Sequence, residues 1–162
     1  VFFFSDNGAT GPGSNAPWRG GKFSHYEGGH RVPAIAWWPG KIPDGVDSKA
    51  TVMAMDLFPT ILELLDRPLP KRQPLDGVSL TKLLIAEEAL PDRQLYFGYE
   101  PKLGTAMRAS KWKLILKEGQ VQLYDLSSDP GERRNVAEEH SERAARMRAA
   151  IEAWRREAVP GS

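Results

Sequence analysis

Val1-Phe2-Phe3-Phe4-Ser5-Asp6-Asn7-Gly8 is the stretch on which the reading of the fold turns. Four consecutive apolar residues, β-branched and aromatic, run into a cluster that favours a turn. So short and uniform a run suits a strand buried on both faces, as in a parallel α/β sheet. Periodicity alone does not separate it from a buried helix end. The chain starts directly on this run, with Val1 in place of Met. That start predicts a piece cut from a longer protein.

Outward from there, Gly8–Pro17 is rich in Gly, Pro, Ser and Asn and reads as a loop. Trp18–Arg31 carries Gly20, Gly21, Gly28 and Gly29, which argues against a helix and for backbone wrapped closely around something. Val32–Trp38 is a second strand candidate, ended by Pro39-Gly40, with Trp37 and Trp38 packing one on each face. A helix is predicted from Leu57 to about Asp66, with Asp56 as N-cap, Pro59 in its first turn, and Leu57, Ile61, Leu64 and Leu65 as its apolar face. Leu80–Ala86 is a shorter helix candidate.

From residue 91 the pattern changes. Leu95–Tyr99, Thr105–Ala109, Trp112–Lys117 and Val121–Leu126 read as short strands, with turns at Glu118-Gly119-Gln120 and Asp129-Pro130-Gly131. A last helix runs from Ser141 to Glu157, with Ala144, Met147, Ile151, Trp154 and Ala158 in one stripe. The fold class is α/β: residues 1–90 read as a remnant of a mixed or parallel sheet with helices, and 91–162 as a small antiparallel sheet packed by the C-terminal helix.

Bulk composition narrows the function classes. At 162 residues, 41% apolar and 27% charged, the chain is about one ordinary globular domain. A formal net charge of +1 gives no electrostatic case for nucleic acid. No apolar run approaches the roughly 20 residues that span a bilayer. With no cysteine, disulfides, thiolate metal sites and a cysteine nucleophile are excluded within the chain.

Few residues can carry chemistry. Asp6 and Asn7 stand at the carboxyl end of the first strand, where open α/β sheets place their sites. A carboxylate beside an amide suits a hard divalent cation, although calcium takes six to eight oxygens and the same tripeptide is also an ordinary turn. Lys22 follows Arg19-Gly20-Gly21, where glycine backbone and a compact cation suit a sulfate or phosphate oxyanion, or a leaving-group oxygen; a solvated loop lysine is the bland alternative. Glu27 reads as a general acid or, preferably, as the partner of Arg31 in a loop-fixing ion pair. His25, nearest Lys22, is a candidate for substrate contact, and Trp18 is a candidate stacking residue.

Taken in order, SDNGA, RGGK, YEGG, RVPAI, WWPGKI, DLFPTILELL, LDGVSL, KWKLIL and LYDLSSDPGERRN resemble the C-terminal half of sulfatases, in the alkaline phosphatase superfamily. The resemblance covers nearly the whole chain and is most specific from Arg19 to Ile42. It implies that Asp6 and Asn7 are two of four protein ligands to calcium, and that Lys22 contacts the sulfate and the leaving oxygen. Arg19, Glu27, Gly28, Gly29, Arg31 and Pro33 then form the loop scaffold, and Phe23, His25 and Trp18 border the substrate pocket. It also implies residues 1–90 as part of the catalytic α/β domain and 91–162 as a small C-terminal subdomain.

The family nucleophile is a formylglycine made within a C/S-x-P-x-R motif, and no such motif occurs here. The expectation is an inactive fragment whose partner is the N-terminal part of the same protein, about 300 residues by length priors. The implied substrate is a sulfated small molecule or glycan, in a setting outside the cytoplasm. A phosphodiesterase or phosphonate hydrolase of the same superfamily, and a non-catalytic binding module, are the competing readings.

Overall fold

The computed structural model describes residues 1–72, 74–98 and 103–158. Its elements are β1 (Phe2–Phe4), α1 (Glu27–His30), β2 (Ala34–Ala36), α2 (Leu57–Leu64), α3 (Thr81–Ala86), β3 (Gln94–Phe97), β4 (Thr105–Ala109), β5 (Trp112–Lys117), β6 (Gln120–Asp125) and α4 (Ser141–Ala158). By compactness the chain divides into two units, Val1–Phe3 with Ala34–Pro91, and Phe4–Pro33 with Asp92–Ser162. The glycine-rich loop therefore belongs to the unit that holds the C-terminal sheet.

That sheet is antiparallel throughout, in the order β3-β4-β5-β6. Lys117 pairs with Gln120 across Glu118 and Gly119, whose φ values of 50° and 78° are the two positive angles a tight hairpin turn requires. The strand predicted to reach Tyr99 ends at Phe97, and Tyr99 itself lies outside the described residues.

Alternation along β5 sorts its side chains to two faces. Trp112 and Leu114 join Met107 and Leu123 against Ala144, Met147 and Ile151 of α4, and Ile151 is 0% exposed. The predicted stripe of the last helix is thus the packed one as far as Trp154, which stacks on Tyr96 at 5.1 Å, while Ala158 is exposed. Ile115 joins Ala106, Tyr124 and Leu126 on the opposite face, packed by Tyr26 and Phe97. Both faces are covered, so β5 reads as a nearly continuous apolar run in sequence.

In the other unit, Val1 and Trp37 exchange both main-chain hydrogen bonds, at 2.7 and 2.8 Å, as an antiparallel pair does. The expected burial of the first strand on both faces is not met: Phe3 is 65% exposed, and Trp37 and Trp38 are exposed rather than packed one on each face. Two three-residue strands make too small a sheet to bury either side. The apolar face of α2 is likewise open, with Leu65 63% exposed, and the buried residues of that helix are Pro59 and Thr60. Asp56 does not cap α2 by its side chain; it ends a 3-10 turn and accepts the Met53 and Val78 amides at 2.7 and 3.0 Å. The reach of that carboxylate to Val78 explains the Leu75-Asp76-Gly77-Val78 signature: a Cβ at Gly77 would collide with the Met55 carbonyl.

Candidate active site

Asp6 and Asn7 follow β1 in an exposed turn, and their side chains touch, Nδ2 to Oδ2 at 2.5 Å. Among the described residues no lysine or arginine pairs with Asp6. A carboxylate and an amide oxygen are hard donors of the kind calcium takes, so the pair fits such an ion chemically but supplies two of the six or more ligands it needs. Among the described residues no three His, Cys, Asp or Glu side chains gather as a metal set.

The next residues fold back on themselves. Asn15 braces Ala9 through two hydrogen bonds, Ala9 N–H to Oδ1 at 2.7 Å and Nδ2 to the Ala9 carbonyl at 3.0 Å. The Lys22 amide donates to the same carbonyl at 3.4 Å, and the Gly8 amide donates to Gly29 at 3.0 Å. The glycine-rich segment was predicted to avoid helix, yet Glu27–His30 form one helical turn. The glycines serve close approach instead: a Cβ at Gly28 would meet the main-chain carbonyls of Arg19 and Gly20. Asp6, Asn7 and Lys22 are thereby carried on segments hydrogen-bonded to one another.

Lys22 is exposed, and among the described residues no carboxylate pairs with it. Its Nζ lies 5.5 Å from the centre of the Phe23 ring. Phe23 is 75% exposed and holds φ at 69°, a left-handed angle uncommon for a bulky residue. Trp18 is half-buried, with the Arg31 guanidinium 4.0 Å over its ring. His25 turns inward: Nε2 lies 3.1 Å from the Gly104 carbonyl and Nδ1 3.4 Å from His30. Burial lowers the pKa of both imidazoles, that of His30 to about 4, helped by the Lys113 charge.

Glu27 is the surprise of the loop scaffold. Its partner was expected to be Arg31, but that contact is 3.7 Å and peripheral. The carboxylate instead meets Lys113 Nζ at 2.9 Å and Arg108 at 3.2 Å, both from the sheet. Lys113 is 1% exposed and lies 3.1 Å from a second buried carboxylate, Glu132. Burial alone would raise Glu27, but Lys113 and Arg108 hold it below the ordinary carboxylate range. Glu132 goes the other way, pushed up by burial and by the neighbouring Glu27 charge, which outweigh the lowering pull of Lys113. Glu132 also accepts the Glu27 amide through Oε2 at 2.5 Å and the Arg19 guanidinium through its carbonyl at 2.7 Å. Arg19 further covers the Tyr26 ring at 3.9 Å.

Lys113, Arg108 and Glu132 were not legible as site residues. The available signal was a lysine in mid-strand, flanked by Trp112 and Leu114, where alternation puts it on a covered face. Asp129 is the turn residue its sequence suggests and accepts the Arg133 and Arg134 amides, both at 2.8 Å, while Asp125 ends β6 and accepts the Ser127 amide at 3.0 Å.

A sequence model of the Sulfatase family matches residues 1–67. The N-acetylgalactosamine-6-sulfatase of Canis lupus familiaris is 44% identical over 103 residues, covering 60% of this chain and 20% of that protein. A protein of Formosa agariphila described as Sulfatase is 34% identical over 178 residues, covering 95% of this chain and 32% of that one. Among solved structures, Ps i-CgsB is 30% identical with a TM-score of 0.88, over 95% of this chain and 36% of that chain. Its complex with k-i-k-neocarrahexaose gives 31% and 0.87 over the same shares. The chain thus spans 20% to 32% of the length of these two curated relatives. Its α/β architecture, with a four-stranded antiparallel sheet and a C-terminal helix, is that of sulfatases with the alkaline-phosphatase-like fold. Agreement of the ordered motifs, the family match over the first 67 residues and the fold over 95% of the chain places it: the chain belongs to the sulfatase family.

Proposed function

We propose that this chain supplies the metal and leaving-group side of a site that hydrolyses sulfate monoesters, and that it is inactive without a nucleophile from outside it. The observation that carries the reading is the joining of Asp6-Asn7 and Lys22 through the Ala9 and Gly29 carbonyls. Asp6 and Asn7 would hold calcium together with ligands from upstream; when bound, the ion supplies positive charge against the sulfate oxygens. Lys22, unpaired by any described carboxylate, suits the oxygen that gains negative charge as the S–O bond breaks. The attacking group, a formylglycine by the family pattern, belongs to the upstream part.

Phe23 is the pocket candidate best placed for a substrate, since Trp18 has one face under Arg31 and His25 is held from inside. A sulfated glycan is the favoured substrate class, in line with relatives that act on a sulfated amino sugar or bind a neocarrahexaose. Calcium dependence favours a setting outside the cytoplasm, where millimolar sites fill. The open apolar residues of β1, β2 and α2 suit cover by the upstream part, and the catalytic domain's share of the chain is proposed to end near residue 90. Among the described residues no helix is long and apolar enough to cross a membrane.

The test joins the chain to its upstream sequence and assays an aryl sulfate with and without calcium, with an aryl phosphodiester in parallel. Sulfate turnover that needs calcium and falls at least about 100-fold in Lys22→Ala is expected, the size typical of losing one oxyanion donor. Full activity in Lys22→Ala, or turnover of the phosphodiester alone, refutes the assignment.

A further inference from the structure

Lys22 lies within a segment that begins at Arg19 and ends at Glu27. One residue, 105 positions beyond Glu27, holds both ends of it. The Glu132 carboxylate accepts the Glu27 amide at 2.5 Å, and the Glu132 carbonyl accepts the Arg19 guanidinium at 2.7 Å. The ends are tied to each other as well, since Gly28 N–H donates to the Arg19 carbonyl at 2.8 Å. Gly29, in the same helical turn, accepts the Gly8 amide next to Asn7. Glu132 is 0% exposed, and its φ of 54° is a left-handed angle uncommon outside glycine. Lys113 sits between the Glu132 and Glu27 carboxylates at 3.1 and 2.9 Å and offsets part of their charge, with Arg108 3.2 Å from Glu27 as the second cation.

We infer that Glu132 is a positioning residue for the site, clamping both ends of the segment that carries Lys22, with Lys113 as the buried counter-charge that lets the clamp form. The small C-terminal sheet then sets where the leaving-group cation stands. It does so without touching substrate, because neither buried side chain reaches solvent. A displacement of about 1 Å in a catalytic group can cost 100-fold in rate, so a clamp at both ends has a kinetic consequence.

The inference rests on the proposed role of Lys22, and the experiment separates the two. In the complete protein, Glu132→Gln, Lys22→Ala and the double variant are compared on aryl sulfates with good and poor leaving groups. A mispositioned Lys22 should cost most where the leaving oxygen needs most help. Glu132→Gln is therefore expected to lower kcat by about 10- to 100-fold on the poor leaving group, and by less on the good one, with KM nearly unchanged. In the Lys22→Ala background the same change should cost less than about threefold, since residues acting as a unit are not additive. Glu132→Asp, which keeps the charge but withdraws it by one methylene, should fall between and serves if Glu132→Gln does not fold. Equal losses on both substrates, or equal losses with and without Lys22, overturn the positioning role while leaving Lys22 in place. No leaving-group dependence in Lys22→Ala itself overturns the role of Lys22, and the clamp's kinetic role with it.

Discussion

Replacing Lys113 by Met tests whether the buried ion cluster is held by charge. Met fills nearly the same volume, so lost packing is small. What remains is Glu27 and Glu132, 2% and 0% exposed, with Arg108 3.2 Å from one of them as compensation. Breaking a buried pair from one side costs about 3–5 kcal/mol. A second route caps that figure, because one carboxyl can take up a proton. From a reference value of 4.5, protonation at pH 7 costs about 3.4 kcal/mol, at 1.36 kcal/mol per unit. The expected loss is therefore about 3 kcal/mol at pH 7. Its sign with pH follows: the variant's carboxyl has a folded pKa raised above its unfolded one. Stability is then kept below pH 4.5 and lost as pH rises, so the deficit shrinks toward acid. Native-state hydrogen exchange of the Leu114 and Leu123 amides in the complete protein reads this unit alone, whether or not the whole molecule unfolds in one step. A deficit under about 1 kcal/mol at pH 7, or one equal at pH 5 and pH 7, would refute the reasoning.

Two further outcomes are expected. The His30 pKa, lowered by burial to about 4 from 6.5, makes the unfolded state bind the extra proton between those values, so stability should fall by up to about 3 kcal/mol on acidification through that window. Urea midpoints at a series of pH values should show this slope, and His30→Gln should flatten it; an unchanged slope assigns it to other groups. Gly28→Ala should destabilise the loop by about 1–3 kcal/mol, because its methyl group would meet main-chain carbonyls that cannot rotate away. Faster amide exchange across 19–29 would register it, and wild-type protection there would contradict the packing.

The C-terminal elements were legible because their signals are local. A stripe at helical spacing, a glycine hairpin and an Asp-Pro-Gly turn each act within a few residues. Thr105–Ala109 and Trp112–Lys117 appear at their predicted bounds, and Ser141–Ala158 ends one residue beyond its predicted end. The burial of β1 was misjudged because an apolar run reports what a strand can bury, not how wide a sheet it meets. The helical turn at Glu27–His30 was missed because glycine propensity describes an isolated helix, whereas here backbone contact with Arg19 and Gly20 decides. Asp6, Asn7 and Lys22 became candidates through their order along the chain. The residues that hold them in place did not, because the partnership of Glu27 with Lys113 spans 86 positions and no short motif records it.

The distance between Glu27 and Glu132 also sets an order of events during synthesis. The Lys22 segment leaves the ribosome first, but the residue that fastens it is made 105 positions later. At about 5–20 residues per second, that is a delay of roughly 5–20 s. Throughout that interval the loop has its cation and its glycines but no anchor. A polypeptide interrupted before Glu132 would carry Asp6, Asn7 and Lys22 in full and still lack the clamp that sets their relative places, so the last third of the chain acts as a completeness check on the first.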